Sequence, residues 1–191
     1  PHEMGLDATL WADMVIGDYN HVFDPTVYLK RFFSDVKGDY VFLIDEAHNL
    51  IDRVRDMYTK KLNKSGFYSI KKKLKDTNKT AAKLKKTLGS INEYMLDIRR
   101  ELEGEQQASR VDSIQDSVFD ILITRFLTDA GEWLTKERQN SHPLREEVLE
   151  LYFEAMEFTQ ISEIYDDHYC RITEAFGSEL ALTYFCLDPS D

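Results

Sequence analysis

The strongest pattern in the sequence is an apolar stripe between positions 67 and 102, where apolar residues recur at alternating spacings of three and four. Ten of its eleven positions are apolar, and they form two rows: Phe67, Leu74, Ala81, Leu88, Met95 and Leu102, then Ile70, Thr77, Leu84, Ile91 and Ile98. This spacing predicts a helix of up to about 36 residues with one apolar face. We expect any bend at Gly89, because glycine costs about 1 kcal/mol in a helix interior.

Two further helices are predicted after a break at EGEQQASRVDS, residues 103–113. An apolar stripe predicts the second helix over 118–134, and Pro143 is suited to open the third. The two stripes consist of Val118, Phe119, Leu122, Ile123, Phe126, Leu127, Ala130, Trp133 and Leu134, and of Leu144, Val148, Leu151, Tyr152, Ala155 and Met156. Because each helix has one apolar face, the helices must bury these faces on one another. The pattern leaves open whether the bundle has three or four helices.

A different pattern precedes the helices. Residues 40–44, YVFLI, are apolar at every position, as a parallel strand that is buried on both faces requires. Residues 13–17, DMVIG, predict an earlier strand, and TVYLKRFF after Asp24 and Pro25 predicts a short helix between the two. This βαβ order predicts the α/β class, with a partial parallel sheet and a large, mainly α-helical insertion.

The last part of the chain predicts a β-hairpin. HYCRITEAF and ELALTYFCLD are strand-like runs on either side of Gly177 and Ser178. A two-residue loop would place Cys186 opposite Tyr169 and Cys170 opposite Phe185, with the two sulfur atoms on opposite faces of the hairpin. A three-residue loop would bring the two sulfur atoms together, and the sequence does not decide between the two loops.

The apolar run 40–44 ends in DEAH, which is a candidate catalytic site. Open α/β sheets bind ligands at the carboxyl ends of their parallel strands. At that position Asp45 could hold Mg²⁺ through water, Glu46 could orient or deprotonate a water that attacks a γ-phosphate, and His48 could report the nucleotide state. The alternative is an ordinary strand end followed by a capped helix. None of the eight glycines lies in a GxxxxGK[ST] phosphate-binding loop.

Charge is distributed very unevenly along the chain. The net charge is −11, yet residues 60–86 contain eleven lysines and one acid, Asp76. Such a local positive segment can contact phosphate even on an acidic protein. The candidate DNA-binding residues are Lys71, Lys72, Lys75, Lys79, Lys83 and Lys86. Two alternatives remain open: the lysines form a solvated helix face, or they pack against residues 144–167, which contain eight acids and one base.

Few features of the sequence bear on its compartment. The two cysteines form no CxxC pair, which favours a reducing compartment over a disulfide scaffold or a cysteine zinc site. No run approaches the roughly 18 apolar residues of a membrane span, and no signal peptide is recognisable. We therefore expect a cytoplasmic or nucleoid-associated protein that does not contact a membrane. Because the chain begins at Pro1, we expect it to be a piece of a longer protein.

Three segments, ADMVIGDYNHVFDP, VFLIDEAHNL and LALTYFCLDPSD, resemble parts of the DinG/XPD-type superfamily 2 iron–sulfur DNA helicases, in that family's order. DEAH resembles the family's Walker B motif, and CLDPS resembles the stretch before its TSAT motif. The resemblance covers about a fifth of the chain. It implies a partial RecA-like helicase domain over 1–50, an arch-like helical insertion over 51–167 and a return to the helicase domain over 168–191.

The same resemblance implies a function in DNA repair. The full-length protein would be a helicase that translocates 5′ to 3′, uses ATP and Mg²⁺, and passes single-stranded DNA beside the arch. It would have a [4Fe–4S] cluster bound upstream of Pro1 and not by this chain, and further helicase domains as partners. The interpretation requires residues 40–45 to lie in a buried strand, with LTYFCL close by. The alternative is a non-catalytic helical module that binds nucleic acid or protein through the lysine-rich helix. The oligomeric state is left open.

Overall fold

The computed structural model describes residues 9, 11–25, 39–138 and 142–189, and the chain divides into two compact units, Pro1–Tyr58 and Thr59–Asp191. The first unit contains helix α1 (Asn20–Phe23), a 3₁₀ turn (Ala47–Asn49) and helix α2 (Leu50–Met57). The two helices meet where the Arg53 guanidinium lies over the ring of Tyr19, 5.3 Å from its centroid. Such a contact contributes about 0.5–1 kcal/mol at an exposed position.

The parallel strands predicted in the first unit are not present in the structure. Residues 13–17 and 40–44 have no strand geometry, and their side chains are exposed, with Val41 at 88% and Leu43 at 91% of full exposure. A strand that is apolar on both faces needs neighbouring strands and a covering layer on each face, and the described residues of this unit supply neither. The predicted helix TVYLKRFF lies outside the described residues. The described residues therefore contain no part of the predicted parallel sheet.

The described residues of the second unit form four strands and four helices. In chain order these are β1 (Lys60–Asn63), α3 (Lys64–Lys73), α4 (Lys79–Gly104), β2 (Ser109–Asp112), α5 (Ser117–Lys136), α6 (Arg145–Glu163), β3 (Tyr169–Phe176) and β4 (Glu179–Cys186). The strands form one sheet in the order β1-β4-β3-β2, and every pairing is antiparallel. The described part of the chain is thus a mixed α/β structure with an antiparallel sheet.

The hairpin β3–β4 confirms the two-residue loop. Phe176 pairs with Glu179, and Gly177 has a φ of +57°. A positive φ at the first loop position is the feature that makes glycine favourable in a two-residue hairpin loop. Cys186 faces Tyr169 and Cys170 faces Phe185, so the two cysteine side chains lie on opposite faces and form no disulfide.

The two edge strands are not predicted by the sequence. Strand β1 pairs with β4 and strand β2 pairs with β3, each over four residues. KKLN and SRVD are short and mostly polar, and Leu62 is the one residue among these eight that is buried. Such segments have little strand preference of their own, so their strand geometry depends on the hydrogen-bonding edges of the hairpin. Strand β2 lies in the segment where the sequence predicted only a break.

The long first helix is broken into α3 and α4, so a single helix of about 36 residues is a wrong prediction. All ten apolar positions of its stripe are buried, whereas the polar position, Thr77, is exposed in the link between the helices. The Asn78 side chain caps α4 by accepting a hydrogen bond from the backbone N–H of Ala81 at 2.9 Å. Asp, Thr and Asn favour caps and turns over helix interiors, which explains why the helix stops at this position. Gly89 lies within α4 and does not end it.

Helices α5 and α6 confirm the second and third predicted helices. The Asp116 side chain caps α5 by accepting a hydrogen bond from the N–H of Phe119 at 3.0 Å. Val118, which the sequence placed on the apolar stripe, is 52% exposed and lies outside the core. Aromatic contacts join the layers: Phe67 meets Phe126 edge to face at 5.5 Å between ring centroids, and Phe119 meets Phe158 in the same way at 5.6 Å.

The hairpin belongs to the same compact unit as the helices. Helices α3, α4 and α6 contact strand β4, and α6 also contacts β1. That the chain returns to the helicase domain over 168–191 stays a prediction. None of the described helices combines the length and the apolar character that a membrane span requires.

The buried stripe makes a direct prediction about stability. Leu88 is fully buried on α4, whereas Ile121 on α5 is 69% exposed. We expect Leu88→Ala to lower the free energy of unfolding by about 2–5 kcal/mol, because it leaves a cavity in the core. Ile121→Ala is the matched control and should change it by less than about 0.5 kcal/mol. Urea unfolding followed by the fluorescence of the buried Trp133, in a Trp11→Phe background, measures both changes. Equal effects of the two substitutions would contradict the assignment of the core.

Candidate functional site

The DEAH segment forms a turn that begins at Asp45. The Asp45 carboxylate accepts a hydrogen bond from the backbone N–H of Glu46 at 2.9 Å, and the Glu46 carbonyl accepts one from the N–H of Asn49, also at 2.9 Å. The 3₁₀ turn Ala47–Asn49 then leads directly into α2. The turn thus places the three predicted catalytic side chains within four residues at the start of a helix.

The backbone at Glu46 is in the left-handed region, with a φ of 52°. Among the described residues, Gln106 is the one other non-glycine residue with a positive φ. Such backbone strain costs about 1–3 kcal/mol and is concentrated at functional sites and switch regions. The strain at Glu46 therefore marks the same residue that the motif assigns to catalysis.

The side chains of Glu46 and His48 interact directly. Nδ1 of His48 lies 3.3 Å from Oε2 of Glu46, and the two side chains are 72% and 63% exposed. Asp45 is also exposed. Within the described residues, no three His, Cys, Asp or Glu side chains converge on one point. Because Mg²⁺ prefers oxygen ligands and retains several waters, Asp45 and Glu46 fit a hydrated Mg²⁺ that a nucleotide would help to hold.

The structure divides the six candidate DNA-binding lysines into two groups. Lys83 is paired: its Nζ lies 3.0 Å from Asp129 and 3.2 Å from Glu132. The hydrogen bond that Lys83 donates to Asp129 raises the pKa of Lys83, and its hydrogen bond to Glu132 adds to this effect. The other five form no ion pair with any described residue, and we call them the unpaired lysines: Lys71, Lys72, Lys75, Lys79 and Lys86. Lys83 is thus occupied within the fold.

The alternative that the lysines pack against the acidic helix is correct for only a few of them. Lys73 pairs with Glu147 at 2.7 Å and Lys60 pairs with Glu157 at 2.8 Å, and both acids lie on α6. Pairs at the surface contribute about 0–1 kcal/mol each, so they orient the helices only weakly. The unpaired lysines remain available to an external anion.

No sequence pattern predicted the polar network around strand β3 and the start of α5. Arg171 contacts Asp112 and Asp116, and the Tyr94 hydroxyl donates to Asp116 at 2.7 Å. The Tyr184 hydroxyl donates to Asp120 at 2.9 Å and accepts a hydrogen bond from the backbone N–H of Asp116 at 3.2 Å. These partners are far apart in sequence, so no local spacing reveals them.

Burial and charge change several pKa values in this network. Burial raises the pKa of Tyr184, and the neighbouring Asp120 carboxylate raises it further. Burial also raises the pKa of Asp120, although the hydrogen bond from Tyr184 opposes this change. Burial alone would raise the pKa of Asp112, but the hydrogen bond and charge of Arg171 outweigh it and hold that pKa below its usual value. None of these residues is one of the predicted catalytic residues Asp45, Glu46 and His48. We therefore assign the network to the stability of the fold.

Comparison with known proteins gives no match to this sequence, either among protein-family models or among curated proteins. The functional interpretation therefore depends on the motifs and the geometry described above.

The lowered pKa of Asp112 predicts how stability depends on pH. A carboxylate with a lowered pKa in the folded state contributes stability above its unfolded pKa, and this contribution is lost as the pH falls through the folded value. We expect the wild-type protein to lose stability as the pH falls below about 4, which is the unfolded pKa of aspartate. Asp112→Asn should be less stable at neutral pH and should lose less on acidification.

The control for this measurement is Asp97→Asn, which removes an exposed carboxylate that pairs with Arg100 at 2.8 Å. Urea unfolding at several pH values should give parallel curves for Asp97→Asn and wild type, but not for Asp112→Asn. Parallel curves for all three proteins would show that the Asp112–Arg171 pair contributes nothing to acid sensitivity.

Proposed function

We propose that this chain is part of an ATP-dependent DNA helicase of the DinG/XPD type. In this proposal the first unit supplies the Walker B carboxylates, residues 51–167 are the arch-like insertion that lies beside single-stranded DNA, and residues 168–191 return to the helicase domain. The observation that supports it most directly is the DEAH turn, in which a strained glutamate follows an apolar run and interacts with the motif histidine. A cytoplasmic or nucleoid location and a function in DNA repair are parts of the same proposal.

The exposure of the apolar run 40–44 argues against this proposal as the structure stands, and it also indicates what the rest of the helicase domain must supply. The run is coiled in this structure, whereas the helicase interpretation requires it to be a buried strand. Burying one of these leucine or valine side chains would stabilise the fold by about 1.5–3 kcal/mol, and this stabilisation is missing while the side chain is exposed. In the proposal, neighbouring strands of the complete helicase domain pair with residues 40–44 and cover both of their faces.

Each motif residue has a defined role in the proposed chemistry. The Asp45 carboxylate would bind the Mg²⁺ of MgATP through water, and the Glu46 carboxylate would orient the attacking water and take its proton. His48 would hold Glu46 through the contact between Nδ1 and Oε2. Hydrolysis also needs backbone N–H donors and a lysine at the phosphates, which a GxxxxGK[ST] loop provides and these 191 residues lack.

The chain order and sheet pairing of the second unit support the assignment of residues 51–167 as an insertion. The unit begins just after α2, and its last strand ends at Cys186, directly before LDPS. Its two outer elements, β1 and β4, are paired neighbours in the sheet, so the chain leaves and returns at adjacent strands. An insertion of this kind can be added to a host domain without separating the two host segments that flank it.

The alternative is a non-catalytic module that binds nucleic acid through the lysine-rich surface. The observation that favours it is the set of five unpaired lysines, which need no nucleotide chemistry to contact phosphate. The two functions differ at Glu46: a binding module has no use for this carboxylate, whereas a helicase loses its hydrolysis without it.

The 191-residue chain should not hydrolyse ATP above background. The reason is that its residues provide the metal and water ligands but neither the donors nor the countercharge that hold the triphosphate. A phosphate-release assay with and without single-stranded DNA tests this expectation. Turnover that depends on nucleotide and is abolished by Glu46→Gln would contradict it.

In the longer protein that we infer, Glu46→Gln should lower kcat for ATP hydrolysis by about 10²–10⁴-fold, because it removes the general base. ATP binding should persist, since the amide keeps the shape of the side chain. Asp52→Asn, at an exposed acid of α2, is the control and should leave kcat unchanged.

The sequence encoded upstream of Pro1 should contain GxxxxGK[ST] followed by four spaced cysteines. Absence of that loop, or an unchanged kcat in Glu46→Gln, would favour the binding module.

A further inference from the structure

We propose that the groove between α3 and α4 is the phosphate-binding site of the second unit and that it holds the backbone of single-stranded nucleic acid. The groove has a volume of about 460 Å³ and is lined by Lys71, Asp76, Ala82, Lys85, Lys86, Gly89, Ser90 and Glu93. This inference rests on the proposed function for the identity of the ligand. It goes further because it places Lys71 and Lys86 in the groove itself and leaves out Lys83, which is paired within the fold.

The charges around the groove favour an anion. Lys71 and Lys86 are unpaired, whereas Lys85 reaches Asp76 at 3.4 Å. Asp76 and Glu93 are the two carboxylates of the lining, and they oppose three ammonium groups. Residues 71–93 as a whole have eight lysines and these two acids. A phosphate that enters the groove therefore meets an excess of positive charge from both helices.

Gly89 shapes the groove and positions Lys71. A Cβ atom built at Gly89 would lie 3.7 Å from both Cε and Nζ of Lys71, so the lysine side chain lies across the bare backbone of α4. Lys71 is half-buried and lines the groove, with Cε and Nζ beside the backbone of Gly89. A lysine held in this way loses less conformational entropy on binding than a fully extended one.

The lining favours a nucleic-acid backbone over an acidic peptide. Ala82 is its one apolar side chain, and peptide interfaces usually depend on larger apolar or aromatic anchors. Lysine binds phosphate as a compact point charge and needs no precise planar partner. The remaining unpaired lysines, Lys72, Lys75 and Lys79, continue the positive surface from α3 through the link into α4, as a repeating phosphate chain requires.

The test compares two double variants of the full chain that remove the same formal charge. Lys71→Gln with Lys86→Gln removes the unpaired groove lysines. Lys61→Gln with Lys73→Gln removes two lysines that already pair, with Glu174 at 3.3 Å and with Glu147 at 2.7 Å. Fluorescence anisotropy of a labelled oligothymidylate over a range of salt concentrations gives the log–log slope of binding. Circular dichroism shows whether each variant is folded.

We expect the groove variant to reduce the magnitude of the slope by about 1.4, because each single-strand phosphate contact contributes about 0.7. The control variant should keep the wild-type slope. Equal reductions in both variants would overturn the groove assignment and leave the proposed DNA binding intact. No binding by the wild-type chain would overturn the groove and remove DNA contact from the proposed function as well.

Substitutions at Gly89 provide a second test that keeps every lysine. Gly89→Asp places a carboxylate beside the Lys71 ammonium and should weaken oligonucleotide binding at low salt. Gly89→Ala adds only a methyl group in ordinary contact with Lys71 and should bind as the wild type does. Equal binding by both variants would overturn the assignment. Competition at constant ionic strength distinguishes the other ligands. Displacement of the oligonucleotide by inorganic phosphate would assign the groove to free phosphate, and displacement by polyglutamate would assign it to acidic peptides. Either result would overturn the proposal.

Discussion

The Tyr184 side chain holds the sheet of the second unit against its helices. Its ring is fully buried and stacks on Phe158 of α6 at 4.4 Å between ring centroids. Its hydroxyl donates to Asp120 on α5 and accepts from the backbone N–H of Asp116, the residue that caps α5. One residue of the central strand β4 thus fixes the position of two helices. An unsatisfied hydroxyl at this depth would cost about 1–3 kcal/mol, so the helices and the sheet can pack in few other ways.

This packing determines which charged groups remain available at the surface. Because α5 and α6 are held against the sheet, their acids Glu132, Glu147 and Glu157 lie beside Lys83, Lys73 and Lys60, and each of these lysines is paired. The unpaired lysines lie beyond the reach of those acids, on α3, on the link and on the first part of α4. The positive surface is therefore defined by the tertiary fold and is smaller than the lysine-rich segment of the sequence.

Sequence patterns predicted the elements whose geometry is decided locally or by one apolar face. The hairpin and the buried rows of α3–α4 follow from local spacing, whereas the sequence left the hairpin register open between a two-residue and a three-residue loop, and the structure has the two-residue loop. Strands β1 and β2, the Arg171 network and the pairing of Lys83 depend on partners that are distant in sequence, so no local pattern contains them. The break at Thr77 had a local signal, since Asp, Thr and Asn favour caps, but the continuous apolar stripe concealed it. Of the candidate site, the sequence indicated the DEAH residues but not the strain at Glu46.

The two units differ in how far they bury their own apolar surface, and this difference bears on function. The second unit encloses its apolar stripe between helices and sheet. In the first unit several apolar side chains among the described residues, such as Trp11, Val41 and Leu43, remain exposed. Apolar groups exposed together usually mark a surface that another element covers. Because the most exposed run leads directly into Asp45 and Glu46, whatever covers residues 40–44 also determines the position of these two carboxylates. In the proposed helicase, the folding of residues 40–44 into a strand and the positioning of Asp45 and Glu46 would be the same event.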